Sequence, residues 1–153
     1  TVTALPSQHF SGRGITGRNK TLWTSFSIKG PHHKVYFSGD TGYHPVFKRI
    51  GELYGPFDLV ILDTGQYGKY WPYVHMFPQE AVQAFLDLKG KTYIPAHWGS
   101  FNLSPHNWYD PIENAIRYGE EKGLRMAVPF PGEIIDIAGE LPVRKWWKLS
   151  EFR

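Results

Sequence analysis

The order of strand-like and helix-like segments constrains the fold of this chain more than any other sequence feature. Short segments with the apolar patterns of strands come first, at residues 2–5, 21–28 and 34–38. Helices and strands are then predicted in alternation, as helix 45–54, strand 58–62, helix 77–90, strand 91–96, helix 111–122, and strands 125–130 and 132–137. This order predicts an α/β domain with a mixed sheet and its helices on one face.

Three of these segments carry more specific expectations about packing. Residues 21–28 set apolar side chains, among them Phe26 and Ile28, between polar ones, which predicts a half-buried strand. Residues 58–62 end in an uninterrupted apolar run, which predicts a fully buried strand. The basic and aromatic tail at 144–153 has the composition of a membrane-surface segment, but it is short, and we expect it to dock against the domain.

The composition indicates a single globular domain over residues 1–153 and excludes several kinds of site. The sequence has no cysteine, which rules out disulfides, cysteine-ligated zinc and a thiol nucleophile, and which fits the reducing cytoplasm. The net charge is only +3 and the basic residues are scattered, so no nucleic-acid partner is expected. No apolar stretch approaches membrane-spanning length.

Potential metal ligands stand where three predicted strands end. The stretch "VYFSGDTGYH" places Asp40 between two glycines, directly after a strand, and His9 and His97 follow two other strands. Imidazole and carboxylate are the ligands that Zn²⁺ and similar metals prefer, and α/β folds place their sites at strand ends. From the residues alone, Asp40 is equally a turn or helix-capping residue, and each histidine is equally a solvated loop residue.

A resemblance to a known family supports the metal site. The segments "FSGDTGYHPVFKRIGELYGPFDLVIL", "WPYVHMFPQEAVQAFLDL" and "IPAHWGSFNLSPHNWYDP", together with the opening "LPSQHFSGRG", resemble the metallo-β-lactamase superfamily. They are most similar to the branch of ascorbate-6-phosphate lactonase-like proteins and N-acylphosphatidylethanolamine-hydrolysing phospholipases D. Four motifs occur in the family's order, and the resemblance extends over residues 4 to 135.

The resemblance implies a metal-dependent hydrolase with a metal-bridged hydroxide that attacks a phosphodiester, ester or lactone. It implies that His9 binds one metal, that Asp40 bridges two metals, and that His97 binds the second. The resemblance also implies catalytic roles for Asp40 and His75. His75 would contact the substrate or transfer a proton. Two zinc ions per complete site are expected, with manganese possible. The sequence leaves two roles open for Asp63, which is either a hydrogen-bond acceptor for a ligand histidine or a turn residue.

One family feature is absent from the sequence. The His-x-His-x-Asp-His motif, which supplies most of the metal ligands in this family, does not occur, and "PHHK" at 31–34 lacks its spacing and its aspartate. The resemblance therefore implies the C-terminal half of an αββα sandwich, with an exposed apolar sheet face and no activity of its own.

These observations set the expected partners and one alternative function. The N-terminal half is expected in the same polypeptide or as another chain, or the chain self-associates. The expected substrate is a small-molecule or lipid phosphodiester or ester, and the expected location is cytoplasmic, with peripheral membrane contact possible. The alternative is a non-catalytic half-domain that acts as an association module.

Overall fold

A five-stranded mixed sheet organises the chain in the computed structural model, which describes residues 1–12, 14 and 16–149. The strands lie side by side in chain order, with the first two pairings antiparallel and the last two parallel. They are β1 (Val2–Leu5), β2 (Ser25–Lys29), β3 (Lys34–Phe37), β4 (Leu59–Asp63) and β5 (Tyr93–Ala96). The predicted α/β class with a mixed sheet is confirmed.

Helices α1 (Val46–Leu53), α2 (Pro78–Asp87) and α3 (Asp110–Glu121) pack on one face of this sheet, as predicted. Local sequence defines the first residue of α2. Pro78 occupies the first turn, where its missing N–H is no loss, and the Glu80 carboxylate accepts the Phe77 backbone N–H at 2.9 Å. This pairing holds the chain at the point where it leaves the loop that carries His75.

The core lies between the helices and one face of the sheet. Aromatic and aliphatic side chains from β3, β4 and β5 contact apolar side chains from α1 and α2 there. The largest fully buried members are Tyr36, Phe47, Phe57, Val60, Leu62, Met76, Leu88 and Tyr93.

The opposite face of the sheet, here called the open face, is apolar and solvent-accessible. The exposed fractions of Val2, Ile28 and Phe37 are 65%, 40% and 41%. The other members are Ala4, which is exposed, and Phe26, Val35, Leu59, Ile61 and Ile94, which are half-buried. The prediction that strand 58–62 is fully buried is therefore wrong, because only alternate residues of β4 face the helices. The expected exposed apolar face is present.

Strand β2 turns its polar side chains inward, which corrects the sequence analysis. Ser25 and Ser27 are buried on the helix-covered face, while Phe26 and Ile28 lie on the open face. The Ser25 hydroxyl donates to the Pro6 carbonyl at 3.0 Å, so its burial leaves the oxygen paired. The apolar side chains of this strand thus face away from the described core.

The two last predicted strands do not form within the described residues. Met126 makes a single bridge to Tyr93, and residues 132–137 have no ladder. Pro129 interrupts the first segment and Pro131 follows it directly, and neither residue can donate a ladder hydrogen bond. In the second segment, the Asp136 carboxylate accepts the Ala138 N–H at 2.9 Å, a local turn that competes with strand pairing.

The tail docks against the domain, as predicted for residues 144–149. Trp146 and Trp147 are buried, and the Trp147 indole donates to the Glu113 carboxylate at 2.7 Å. Residues 150–153 lie outside the described part of the chain. Within the described residues, no helix has both the length and the apolar character needed to cross a membrane.

Gly51 in α1 provides a test of the helix packing. Alanine is the better helix former by about 1 kcal/mol, so helix propensity alone predicts that Gly51→Ala stabilises the protein. In the structure a Cβ at this position overlaps the carbonyl oxygen of Asp87 at the end of α2. We therefore expect Gly51→Ala to lower the free energy of unfolding by about 2 kcal/mol or more, measured by urea denaturation.

Gly119→Ala in α3 is the matched control. A Cβ there meets the side chain of Met126, which can move, rather than backbone. This variant should stay within about 1 kcal/mol of the parent protein. Equal stability of the two variants would contradict the close packing of α1 on α2.

His44 predicts a pH dependence of stability. It is buried beside Phe47, and burial lowers its pKa from 6.5 to about 4. Between these values the unfolded chain binds a proton that the folded chain does not, so stability falls as the pH falls. Relative to His44→Phe, the parent protein should lose up to about 3 kcal/mol between pH 6.5 and 4, measured by urea denaturation at each pH. Parallel stability curves would contradict the buried, neutral ring.

Candidate metal centre

The carboxyl ends of β3, β4 and β5 meet at one edge of the sheet, here called the site edge. Parallel pairing aligns these strands, and Asp63 at the end of β4 pairs with Ala96 at the end of β5. His97 follows Ala96 directly, and Asp40 follows β3 after a short turn. The register therefore brings residues that are far apart in sequence to the same edge.

The loop that carries His9 joins the same edge through backbone contacts. Strand β1 runs in the same direction as β3, because two antiparallel pairings separate them. The Gln8 N–H donates to the Thr41 hydroxyl at 3.0 Å, and the Gly42 N–H donates to the Gln8 carbonyl at 2.8 Å. These two bonds hold the His9 loop against the loop that follows Asp40.

All four site residues named from the sequence come together. The Nδ1 of His97 lies 3.7 Å from the Oδ1 of Asp40. The ring centroids of His75 and His97 are 5.0 Å apart, and those of His9 and His75 are 5.1 Å apart. Four loops thus contribute one imidazole or carboxylate each to a single cluster.

Asp63 is a fifth member of the cluster, and its side chain is fully buried. Its Oδ2 accepts the Thr41 backbone N–H at 2.9 Å and lies 2.7 Å from the Nδ1 of His75. Burial raises the pKa of the Asp63 carboxyl, and the bonds from His75 and Thr41 act in the opposite direction. Of the two roles left open by the sequence, the structure shows a hydrogen-bond partner of a histidine.

The donor atoms present suit a divalent metal. Asp63, His75 and His97 each offer one ligand atom, and these atoms lie within 4.8 Å of one another. The His9 Nε2 is buried and, within the described residues, has no hydrogen-bond partner. A buried nitrogen without a proton partner is unfavourable unless something else binds it, and imidazole with carboxylate suits zinc or manganese.

The backbone at His97 is held in an unusual conformation. Its φ is 63°, in the left-handed region that few non-glycine residues adopt. Gly65, in the loop after β4, allows this backbone to approach, because a Cβ there overlaps the His97 carbonyl oxygen. Tertiary contacts therefore impose the orientation of His97, as is frequent at functional sites.

Comparisons with known proteins agree with this architecture. A family model described as the Beta-lactamase superfamily domain matches residues 1–98, well over half of the chain. The chain belongs to the metallo-β-lactamase superfamily. It is 45% identical over 152 residues to an uncharacterised protein of Mycobacterium tuberculosis, a match covering 97% of this chain and 41% of that protein.

Two further matches also cover more than two thirds of this chain. The N-acyl-phosphatidylethanolamine-hydrolyzing phospholipase D 1 of Caenorhabditis elegans is 37% identical over 112 residues, which covers 71% of this chain and 32% of that protein. The structure of Igni18, a metallo hydrolase from Ignicoccus hospitalis, superposes with a TM-score of 0.65 at 26% identity, covering 86% of this chain and 50% of that one. The chain thus spans less than half the length of both curated relatives.

A cleft of about 260 Å³ reaches the cluster at His75. Phe10, Trp71 and Leu103 form its apolar walls, and Arg18 adds a positive charge. A separate cleft beside His97 is lined by Phe101 and Leu103. The site therefore combines apolar walls with one cation.

The aromatic residues near the site divide into two groups. Trp98 and Trp108 pack against the second apolar cluster, around Trp146 and Trp147. Phe101 and Tyr109 are instead 71% and 40% exposed. Phe101 and Trp98 both line the cleft beside His97.

Gln66 fastens the loop that forms the cleft wall, a contact the sequence did not indicate. Its amide nitrogen donates to the Phe101 carbonyl at 2.7 Å, and its amide oxygen accepts the Leu103 N–H at 3.0 Å. Gln66 is buried, and its φ is 58°. A lone glutamine in a loop has no sequence pattern that would reveal this double contact.

Gln66→Asn should release this loop without adding backbone strain. Asparagine tolerates the left-handed conformation, but it is one methylene too short to make both contacts. We expect the Leu103 amide to exchange with solvent roughly tenfold faster, since about one net hydrogen bond is lost. Hydrogen-exchange NMR provides the measurement, with Gln79→Asn on the exposed surface of α2 as the matched control. An unchanged Leu103 exchange rate would contradict the double hydrogen bond of Gln66 to this loop.

Proposed function

We propose that this chain supplies one half of the active site of a metal-dependent hydrolase, which acts on a phosphodiester or on an ester or lactone. The observation that carries the proposal is the convergence of His9, Asp40, His75 and His97 at the site edge, from four separate loops. The hydrolase names of relatives, including the phospholipase D of C. elegans, support the reaction class.

In this proposal His9, Asp40 and His97 hold the metals. The His9 Nε2, which has no hydrogen-bond partner among the described residues, is available as a ligand, and the two oxygens of Asp40 allow it to bridge. When bound, a pair of zinc or manganese ions supplies Lewis acidity and activates water for attack. Asp40 would hold the pair together, and His97 would fix one ion from its constrained backbone.

His75 and the cleft would position the substrate. His75 lines the cleft and would contact the substrate or its leaving group. The guanidinium of Arg18 suits an anionic group such as a phosphodiester, while Phe10 and Leu103 suit an apolar portion and exclude water. This arrangement favours a small-molecule or lipid phosphodiester or ester over a nucleic acid.

The partner in this proposal is the N-terminal half of the sandwich, which would pack on the open face. Two observations support it: the open face is apolar and exposed, and the relatives are more than twice as long as their matched segments. The half would lie in the same polypeptide or in a second chain, or another copy of this chain would cover the face. A cytoplasmic location, with membrane contact at most peripheral, is part of this proposal and is supported by the cysteine-free sequence.

The exposed open face also favours a second candidate function, a non-catalytic association module. In that case the face would bind its partner while the site residues carry no metal. The two candidates differ in metal content, since only the first requires metal in the assembled protein.

Elemental analysis of the full-length protein tests the hydrolase. We expect about two equivalents of zinc or manganese per complete site. Asp40→Ala should remove metal and reduce hydrolysis by more than roughly 100-fold, because even residues that only orient ligands contribute up to that much. Bis(p-nitrophenyl) phosphate and p-nitrophenyl acetate serve as phosphodiester and ester probes.

Asp136→Ala is the control for this experiment. Asp136 lies in an exposed loop and contacts only local backbone in the described structure, so its replacement should change neither metal content nor activity. A metal-free full-length protein, or an Asp40→Ala variant that keeps its metal and activity, would contradict the hydrolase and favour the association module.

A further inference from the structure

Asp63 occupies a position that is energetically unfavourable for a carboxylate. It is 1% exposed, and its Oδ1 is buried without a hydrogen-bond partner among the described residues. Burying a charged or polar group costs stability unless its hydrogen bonds are complete. Packing alone therefore gives no reason for an aspartate at the end of β4.

The contacts of Asp63 define which nitrogen of His75 carries hydrogen. The Oδ2 accepts the Thr41 backbone N–H at 2.9 Å, a donor that cannot act as an acceptor. The same oxygen lies 2.7 Å from the Nδ1 of His75. An ionised carboxylate oxygen between two nitrogens accepts from both, so with Asp63 ionised Nδ1 is the protonated nitrogen and Nε2 is left for the cleft.

The distance also argues against Asp63 and His75 sharing one metal through these atoms. With zinc–ligand bonds of about 2.0–2.1 Å in a tetrahedral site, two ligand atoms lie roughly 3.3 Å apart. The observed 2.7 Å is a hydrogen-bond distance. Although Asp63, His75 and His97 have donor atoms close enough for a metal, the structure holds the first two as a bonded pair.

We propose that Asp63 is a positioning residue that fixes the ring of His75, with Nδ1–H directed to Asp63 and Nε2 directed to the cleft. Two fixed points hold Asp63 itself, since its backbone N–H donates to the Ser38 hydroxyl at 2.9 Å and its side chain binds Thr41. His75 is thereby connected to the ends of β3 and β4 rather than left on its loop. The effect on catalysis depends on the proposed hydrolase function, whereas the tautomer of His75 does not depend on it.

The direct test is long-range ¹H–¹⁵N NMR of the purified protein labelled with ¹⁵N-histidine, at a pH of about 8, where a free imidazole is neutral. His75→Gln assigns the signals. The proposal requires that His75 shows a single tautomer with hydrogen on Nδ1. Hydrogen on Nε2, or an averaged signal like that of free histidine, overturns it, and this measurement needs no Asp63 variant to fold.

Asp63→Ala gives the second test. It removes the oxygen that both Thr41 and His75 contact, so the Nδ1 of His75 loses its acceptor and the ring should give an averaged signal like that of free histidine. Asp58→Ala is the matched control, because Asp58 also flanks β4 and its Oδ2 accepts a backbone N–H, that of Lys34, at 2.8 Å. It lies at the other end of the strand, and its replacement should leave the His75 tautomer unchanged.

Kinetics of the full-length protein separate this proposal from the proposed function. Asp63→Ala should lower kcat by roughly 10²–10⁴-fold with little change in KM and unchanged metal content, because an imidazole whose orientation and tautomer are no longer fixed does not exchange a proton correctly. Loss of metal with an unchanged tautomer would overturn the proposal in favour of a ligand role. If no hydrolysis is found but the tautomer is as expected, the proposed function fails and the positioning role stands.

Discussion

The parallel pairing of β3, β4 and β5 is the constraint on which the candidate site depends. Parallel neighbours end at the same edge, and the pairing of Asp63 with Ala96 places His97 one residue beyond the last pair. A slip of one residue in β4 would turn Asp63 to the opposite face of the sheet and remove it from His75. The chemistry is therefore tied to strand register, and the helices contribute by holding that register from one side.

The sheet has one covered and one open face, and the site lies at the edge shared by both. On the covered face, Tyr36, Val60 and Tyr93 are fully buried against the helices. On the open face, apolar side chains of equal size remain accessible. Because a large apolar patch on a sheet is unfavourable in water, a second layer over the open face would stabilise the protein.

Local free-energy costs concentrate where the loops meet. His97 and Gln66 both have left-handed backbones, and Asp63 buries a carboxylate oxygen without a partner among the described residues. Each feature is unfavourable on its own and persists because surrounding contacts hold it in place. These three features lie close together at the site edge, at the end of β4 and on the loops that follow β4 and β5.

The sequence by itself determined the alternation of strands and helices, the strand-end positions of Asp40 and His97, and the family, because these depend on local pattern and on motif order. It did not determine that Ser25 and Ser27 face the helices, since a single strand does not reveal which of its faces will be covered. It also overestimated the last two strands, where prolines and a local turn compete with pairing over short distances. Only the tertiary structure decided the partnership of Asp63 with His75 and the clamp made by Gln66, because both join residues on separate loops whose approach depends on the register of the sheet.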